Sequence, residues 1–426
     1  MELFSLADCN NFYCSCESVF HPDLRNKPVV VLSNNDGCVI ARSEESKALG
    51  IKMGEPFYQV KERLEQNDVA VFSSNYNLYG DMSRRVMSLL STYTPRLDIY
   101  SVDEAFLDFS GLDDTEHLVK YCRQMVKSIT KGTGIPISLG IAPTKTLAKM
   151  ASKFAKKYKG YEDVCLIDTE EKREKALKLF DIGDVWGIGY RSVEKLHHYG
   201  IRTAWDFTQK SESWIRKELT VTGVRTWKEL RGESCISIDE LPHKQSICTS
   251  RSFAEQGLNR LADVEEAIAN FAAQCSRKLR EQHTVCSSIT TFAHTSRFRH
   301  DLPQNYIYQT AQLSVPTNDH QELVAMAVKM LRLHWKDGNS YYYKKAGVIV
   351  WGISRDNAIQ GNLFDHVNRE KQAALAKAID AINRKNGHNK IRVAIQGDKK
   401  GWQLKREYIS KQYTTNLDDV IVLKVK

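Results

Sequence analysis

Acidic side chains stand inside apolar, strand-like segments at two places in this chain, and that pattern limits what it can fold into. Leu3, Phe4, Leu6 and Ala7 lead into Asp8, and Asp103-Glu104 lies between Leu97-Asp98-Ile99-Tyr100 and Ala105-Phe106-Leu107-Asp108-Phe109. The pattern and the Ser110-Gly111 stop predict a first strand ending at Asp8 and a β-hairpin with Asp103 and Glu104 at its bend. Carboxylates in strands that otherwise read as buried destabilise a fold unless a cation neutralises them. Asp8, Asp103 and Glu104 therefore point to a site for two Mg²⁺ ions, which at about 3.5–4 Å apart can clamp an in-line phosphoryl displacement. A solvated turn is the plainer reading of an Asp-Glu pair.

At 426 residues the chain is expected to form several domains, and its 42% hydrophobic content supplies cores of ordinary size. No apolar run is long enough to span a bilayer, and the N-terminus lacks a basic-then-apolar leader. The expectation is a soluble, cytoplasmic protein with no membrane partner. Ten scattered cysteines, with Cys9, Cys14 and Cys16 the only close group and no His at zinc spacing, read as free thiols in a reducing compartment.

A net charge of +9 argues against a uniformly basic coat. Between Thr144 and Gly160, however, Lys145, Lys149, Lys153, Lys156, Lys157 and Lys159 recur at helical spacing with no acidic residue among them, while Leu147, Ala148, Ala151 and Phe154 offer a packing face. That helix is expected to bind phosphate; a solvated face is the alternative.

Val185-Trp186-Gly187-Ile188-Gly189, with Val193, Leu196 and Tyr199-Gly200-Ile201, fits a DNA-binding helix-hairpin-helix. Gly187 and Gly189 would permit a tight turn, and backbone N–H groups beside a helix N-terminus would bind phosphate without reading bases. A simple αα-hairpin is the other reading. After a polar connector at Asp239–Lys244, strands are expected at Gln245–Phe253, Cys286–His294, Tyr306–Val315 and Lys344–Ile353, with helices at Asp263–Gln282 and Gln321–Trp335. The order is β-α-β-β-α-β, a split βαβ arrangement. Arg251, with Arg297, Arg299, Lys344 and Lys345, would meet a DNA backbone or serve only as strand-end charge.

Asn10-Asn11-Phe12-Tyr13 after Asp8, together with Ser101-Val102-Asp103-Glu104-Ala105, resembles the Y-family DNA polymerases. The resemblance runs essentially from end to end. Over Ser33–Arg42, Ser73–Tyr76 and the C-terminal segment it is similar to the branch that supplies catalytic subunits of bacterial mutagenesis polymerases. It implies an α+β multidomain, right-hand polymerase: palm in 1–19 and 74–166, small fingers in 20–73, helix-hairpin-helix thumb in 167–235, βαββαβ little finger in 245–354 and tail in 355–426. By that likeness Asp8, Asp103 and Glu104 are catalytic and hold the metals, Cys9 adds its backbone carbonyl, and Tyr13, beside Phe12, is the steric gate against a ribose 2′-OH. Where many members grip the triphosphate with Thr, Tyr and Arg, this chain has Ala41, Glu44 and Lys47. An ionised Glu44 cannot donate, so the grip is expected from Arg42, Lys47 and Lys156, the last following Phe154-Ala155 where the family has its triphosphate Lys.

Gln360-Gly361-Asn362-Leu363-Phe364 resembles a sliding-clamp peptide, in which Gln360, Leu363 and Phe364 would engage the clamp, Leu363 and Phe364 filling an apolar groove; Gly361 replaces the usual Leu. The tail segments Gly401–Arg406 and Tyr413-Thr414-Thr415 imply docking of a UmuD′-like accessory dimer, and a recombinase filament is a further implied partner. The implied function is error-prone translesion synthesis: transfer of dNMP from dNTP to the 3′-hydroxyl of primed DNA in SOS-type damage tolerance, in a bacterial cytoplasm and nucleoid-associated when active. Two other classes stay open. A catalytically inactive DNA-binding scaffold is opposed by the intact Asp8, Asp103 and Glu104; a palm-type nucleotidyl cyclase would need neither the helix-hairpin-helix nor the clamp peptide.

Overall fold

The apolar run around Asp8 forms β1 (Phe4–Cys9), which ends one residue beyond the expected Asp8, in a computed structural model that describes residues 2–112, 114–236, 244–254, 256–336, 340–357, 359–387, 390–398 and 402–422. Most of the expected connector, and Gly401 of the tail, lie outside the described residues. Asn11, in the left-handed conformation (φ 48°), opens α1 (Phe12–Phe20).

The next stretch, β2 (Val29–Leu32), β3 (Val39–Arg42), α2 (Glu44–Ala48), α3 (Phe57–Gln66) and β4 (Ala70–Ser73), builds a three-stranded sheet in the order β3-β2-β4. All four residues of β2 are buried, as a run of Val and Leu requires when both faces are covered. Val30, Leu32, Val39, Val60 and Leu64 form a core of their own, which makes this insertion a folded module.

From α4 (Tyr76–Leu90) the chain returns to the first sheet through β5 (Leu97–Ile99), β6 (Glu104–Asp108), α5 (Thr115–Thr133), β7 (Ile137–Ala142), α6 (Lys145–Lys157) and β8 (Val164–Leu166). The sheet order is β5-β6-β1-β7-β8, with β1 central. Alternation sorts its two faces. Ala7, Ala105 and Leu107 pack with α4 and α5, whereas Leu6 and Phe106 pack with Leu147, Ala151 and Phe154 of α6. The α6 side continues without a break into the core of α7 (Glu170–Leu179), α8 (Tyr190–His198), α9 (Ala204–Thr208) and α10 (Glu212–Leu230), through Phe180, Leu196, Phe207 and Val224.

A second unit contains β9 (Ser246–Ser252), α11 (Leu261–Glu281), β10 (Thr284–Thr295), β11 (Tyr306–Thr317), α12 (His320–His334) and β12 (Tyr343–Arg355), the expected β-α-β-β-α-β order. Its antiparallel sheet runs β11-β10-β12-β9, so each helix crosses over one intervening strand. The tail is not the single segment expected. It contains α13 (Arg369–Asn386), and the structure groups residues up to Arg406 with this second unit, while Glu407–Lys426 join Met1–Glu240. Among the described residues, no helix is long and apolar enough to cross a membrane.

Candidate active site

The site begins with strand register. β1 and β6 pair Leu6 with Phe106, Ala7 with Ala105 and Asp8 with Glu104, and the Cys9 N–H donates to the Asp103 carbonyl at 2.9 Å. Because Leu6 and Phe106 face α6, Asp8, two residues after Leu6, and Glu104, two residues before Phe106, face it too. Like charges directly opposite one another repel by on the order of 3 kcal/mol at about 5 Å and an effective dielectric of about 20. Counter-charge comes from α6: Lys156 Nζ lies 2.5 Å from Asp8 Oδ1, and Lys149 Nζ lies 2.7 Å from Glu104 Oε1. Burial pushes the Asp8 carboxyl above its usual range; Lys156 opposes that, while Glu104 and Asp103 add to it. A cavity of about 340 Å³ opens here, with Asp8, Glu104, Lys149, Lys153, Lys156 and Trp186 in its lining.

Asp103 occupies the bend as expected, but Glu104 is the first residue of β6. Ser101, a residue given no role above, shapes that bend. Its Oγ donates to Asp103 Oδ1 at 2.5 Å and accepts the N–H groups of Asp103 and Glu104 at 3.2 and 3.0 Å. A Ser two residues ahead of an Asp in a turn was the available signal.

The lysine helix departs most from expectation. It has counter-charges, and they come from other elements. Lys145 is 3% exposed and bonds Asp98 at 3.1 Å with its ammonium over the Phe106 ring, so it is a buried strut rather than a DNA contact. Lys149 sits over Tyr100 (4.7 Å) and Trp186 (5.4 Å), and Lys153 pairs with Asp184 at 2.5 Å. Gly140 makes this approach possible. A Cβ there would stand 1.9 Å from the Ser152 amide nitrogen and 2.2 Å from the Ala148 carbonyl oxygen, so α6 lies directly on β7.

Tyr13 is half-buried, and its ring stacks on Tyr79 at 4.5 Å and 17°. Phe12 is buried in the core and presents no face to a ligand. The Cys9 thiol is buried and pushed far upward by desolvation, so it stays protonated. Lys47 bonds Asn11 Oδ1 at 2.7 Å and Glu44 Oε1 at 2.6 Å. Glu44 is held below its usual range: burial works against this, but the hydrogen bonds from Lys47 and Asn11 prevail. Arg42 donates to the Ile51 carbonyl at 2.6 Å, which ties it to the turn after α2 rather than offering it to a phosphate.

Gly187 (φ 91°) belongs to packing: a Cβ would meet Thr226 Oγ1 at 2.6 Å. Gly189 is the N-cap of α8, has open space around it and adds no side-chain cap. Trp186 binds this loop to the β5–β6 hairpin, its Nε1 donating to Tyr100 OH at 3.2 Å. In the second unit Arg251 stacks on Trp402 at 5.1 Å instead of standing as a bare strand-end charge. The clamp-like peptide holds Leu363 and Phe364 outward, 92% and 79% exposed.

Carboxylates with a backbone carbonyl are hard oxygen donors, and crowded, partly buried and like-charged as these are, they fit a hard divalent cation. Their placement is not that of a closed metal cage: among the described residues, no group of three or more His, Cys, Asp or Glu side chains is arranged to hold an ion, and lysines engage Asp8 and Glu104. Residues 7–153 match the impB/mucB/samB family, 244–363 its C-terminal domain, and 373–423 a domain of unknown function, DUF4113. Protein UmuC of Salmonella typhimurium is 43% identical over 99% of this chain and 100% of its own length. The chain belongs to the impB/mucB/samB family. Protein MucB of Escherichia coli is 35% identical over 100% of both chains, and DNA polymerase IV 1 of Halalkalibacterium halodurans is 27% identical over 89% of this chain and 90% of its own. A chimera of the Y-family DNA polymerases Dbh and Dpo4 shares the fold, with a TM-score of 0.65, 20% identity, and coverage of 83% of this chain and 99% of its own.

Proposed function

We propose that this chain is a template-directed, error-prone translesion DNA polymerase that adds dNMP from dNTP to a primer 3′-hydroxyl, with Asp8, Asp103, Glu104 and the Cys9 carbonyl holding two Mg²⁺ ions. The observation that carries this reading is the Asp8–Glu104 register on the face covered by α6. When bound, the ions supply activation of the primer hydroxyl and neutralise charge on the triphosphate. The remaining work falls to the chain. Lys156, paired with Asp8, and Lys47, paired with Glu44, exchange carboxylate partners for phosphate oxygens, so positive charge is already lodged where negative charge builds. Tyr13, braced by Tyr79, fills the space a 2′-hydroxyl would need. The reaction is thus mainly alignment and charge neutralisation.

The small fingers module constrains the nascent pair weakly, which supports synthesis past damaged bases. Backbone N–H groups at the N-terminus of α8 hold duplex phosphate. The exposed Leu363 and Phe364 dock a sliding clamp, and a UmuD′-like dimer and a recombinase filament complete the partners, in the cytoplasm. Primer extension with Mg²⁺ and dNTPs tests the core of the reading. Asp8→Asn and Glu104→Gln are each expected to lower extension by about a thousandfold or more while primed-DNA binding persists. Extension that survives either change overturns it.

A further inference from the structure

The end of the chain is built into the catalytic unit. The Glu407 N–H donates to Asp36 Oδ2 at 2.8 Å, Tyr408 exchanges hydrogen bonds with Ser73 (3.0 and 2.9 Å), and the Tyr413 ring stacks on Phe20 at 4.7 Å. Between these anchors Ser410 uses its hydroxyl twice. It accepts from Asn75 Nδ2 at 3.0 Å and donates to Glu17 Oε1 at 3.0 Å. Asn75 is the N-cap of α4, the helix that carries Tyr79. Glu17 is fully buried, and the same Oε1 accepts from Tyr79 OH at 2.6 Å. Glu17 stands one helical turn after Tyr13 on α1, and Tyr79 touches both: its hydroxyl bonds Glu17 and its ring lies against Tyr13.

We propose that residues Glu407–Tyr413 are a positioning strap for Tyr13: Ser410 orients Glu17 and the α4 cap, these fix the Tyr79 ring, and that ring sets where Tyr13 stands against the sugar of an incoming nucleotide. The inference rests on Tyr13 meeting that sugar. It makes the C-terminal segment part of nucleotide selection, and Ser410 a specificity residue acting through others. The chemistry is that of one buried carboxylate oxygen with two donors. Loss of either donor leaves it undersatisfied, and the stack shifts to compensate.

Single-nucleotide extension by the full chain, with dNTP and rNTP measured separately, tests this. Ser410→Ala and Tyr79→Phe are each expected to reduce the dNTP-over-rNTP ratio of kcat/KM by about 3- to 10-fold, the change lying mainly in the KM values. Ser410→Thr, which keeps the hydroxyl, is expected to retain the ratio. In a Tyr13→Ala background, Ser410→Ala should produce no further change, because the route to the sugar is already cut. A ratio unmoved by Ser410→Ala and Tyr79→Phe while Tyr13→Ala shifts it overturns the strap and leaves the gate standing. A ratio unmoved by Tyr13→Ala removes the gate and the strap with it. A purely structural strap would lower thermal stability and activity on both nucleotides alike, and that result also overturns the proposal. Should Ser410→Ala fail to fold, Tyr79→Phe, which retains the ring, carries the same comparison.

Discussion

Tyr13 and Glu17 lie four residues apart on one helix face and share Tyr79, yet they do different work. With Tyr13 as the gate, Tyr13→Ala is expected to raise ribonucleotide incorporation about tenfold or more relative to dNTP, read from paired kcat/KM values. Glu17 registers pH. Burial raises its carboxyl from 4.5 to about 7, with the Tyr79 and Ser410 hydrogen bonds opposing that rise. Between those two values the folded chain holds a proton that the unfolded chain has released, so stability falls as pH rises through the window and stays lower above it. The span is worth about 3 kcal/mol. Glu17→Gln is therefore expected to flatten the fall of Tm between about pH 5 and pH 8 by several degrees, the cysteines beside it, Cys14 and Cys16, remaining protonated throughout. An unchanged slope on thermal melting would remove Glu17 as the titrating group. Asp8 and the Asp103-Glu104 pair were legible as residues because carboxylates are rare in buried strands. Ser101 and Glu17 were not, because a serine in a turn or a glutamate in a helix is common and only its partners distinguish it.

Elements bring these residues together. The β1–β6 register sets Asp8 opposite Glu104, and the period of two along each strand follows from the same alternation that marked Leu6 and Phe106 as core. The βαββαβ order of the second unit was readable for the same reason: long amphipathic helices alternate with β-branched strands at lengths that leave little choice of type. What α6 rests on was not readable. Its lysines have no acidic neighbour in sequence, and their partners are on β1, β5 and β6 and at Asp184. The close approach depends on Gly140. Gly140→Ala would force backbone apart from backbone and is expected to cost about 3 kcal/mol or more, measured as a drop in Tm, with extension lost in whatever fraction still folds. A melting temperature within a degree of the parent would show that α6 can move off the sheet at little cost.

Across the whole molecule, two compact units divide the chain, and the tail contributes to both. α13 joins α12 through the Arg369–Glu322 ion pair at 2.7 Å, and Trp402 is buried in the core of the same unit, whereas Tyr408 and Tyr413 pack in the first unit. The clamp-like peptide between β12 and α13 is left outside both cores. Leu363→Ala combined with Phe364→Ala is expected to leave extension unchanged without a clamp and to abolish its stimulation by one; stimulation that persists in the double variant would assign the peptide another role. Local pattern carried the strands, the second unit's order and the family, because spacing and side-chain type repeat over a few residues and are set by backbone geometry. Which charge meets which, that four lysines of α6 each pair with an acid, Lys145 buried and Lys153 still exposed, and that residues near the C-terminus brace the first helix were decided by tertiary structure alone. Partners that lie tens or hundreds of positions apart leave no periodic trace in sequence, and whether a buried charge is tolerated depends on the counter-charge that folding delivers to it.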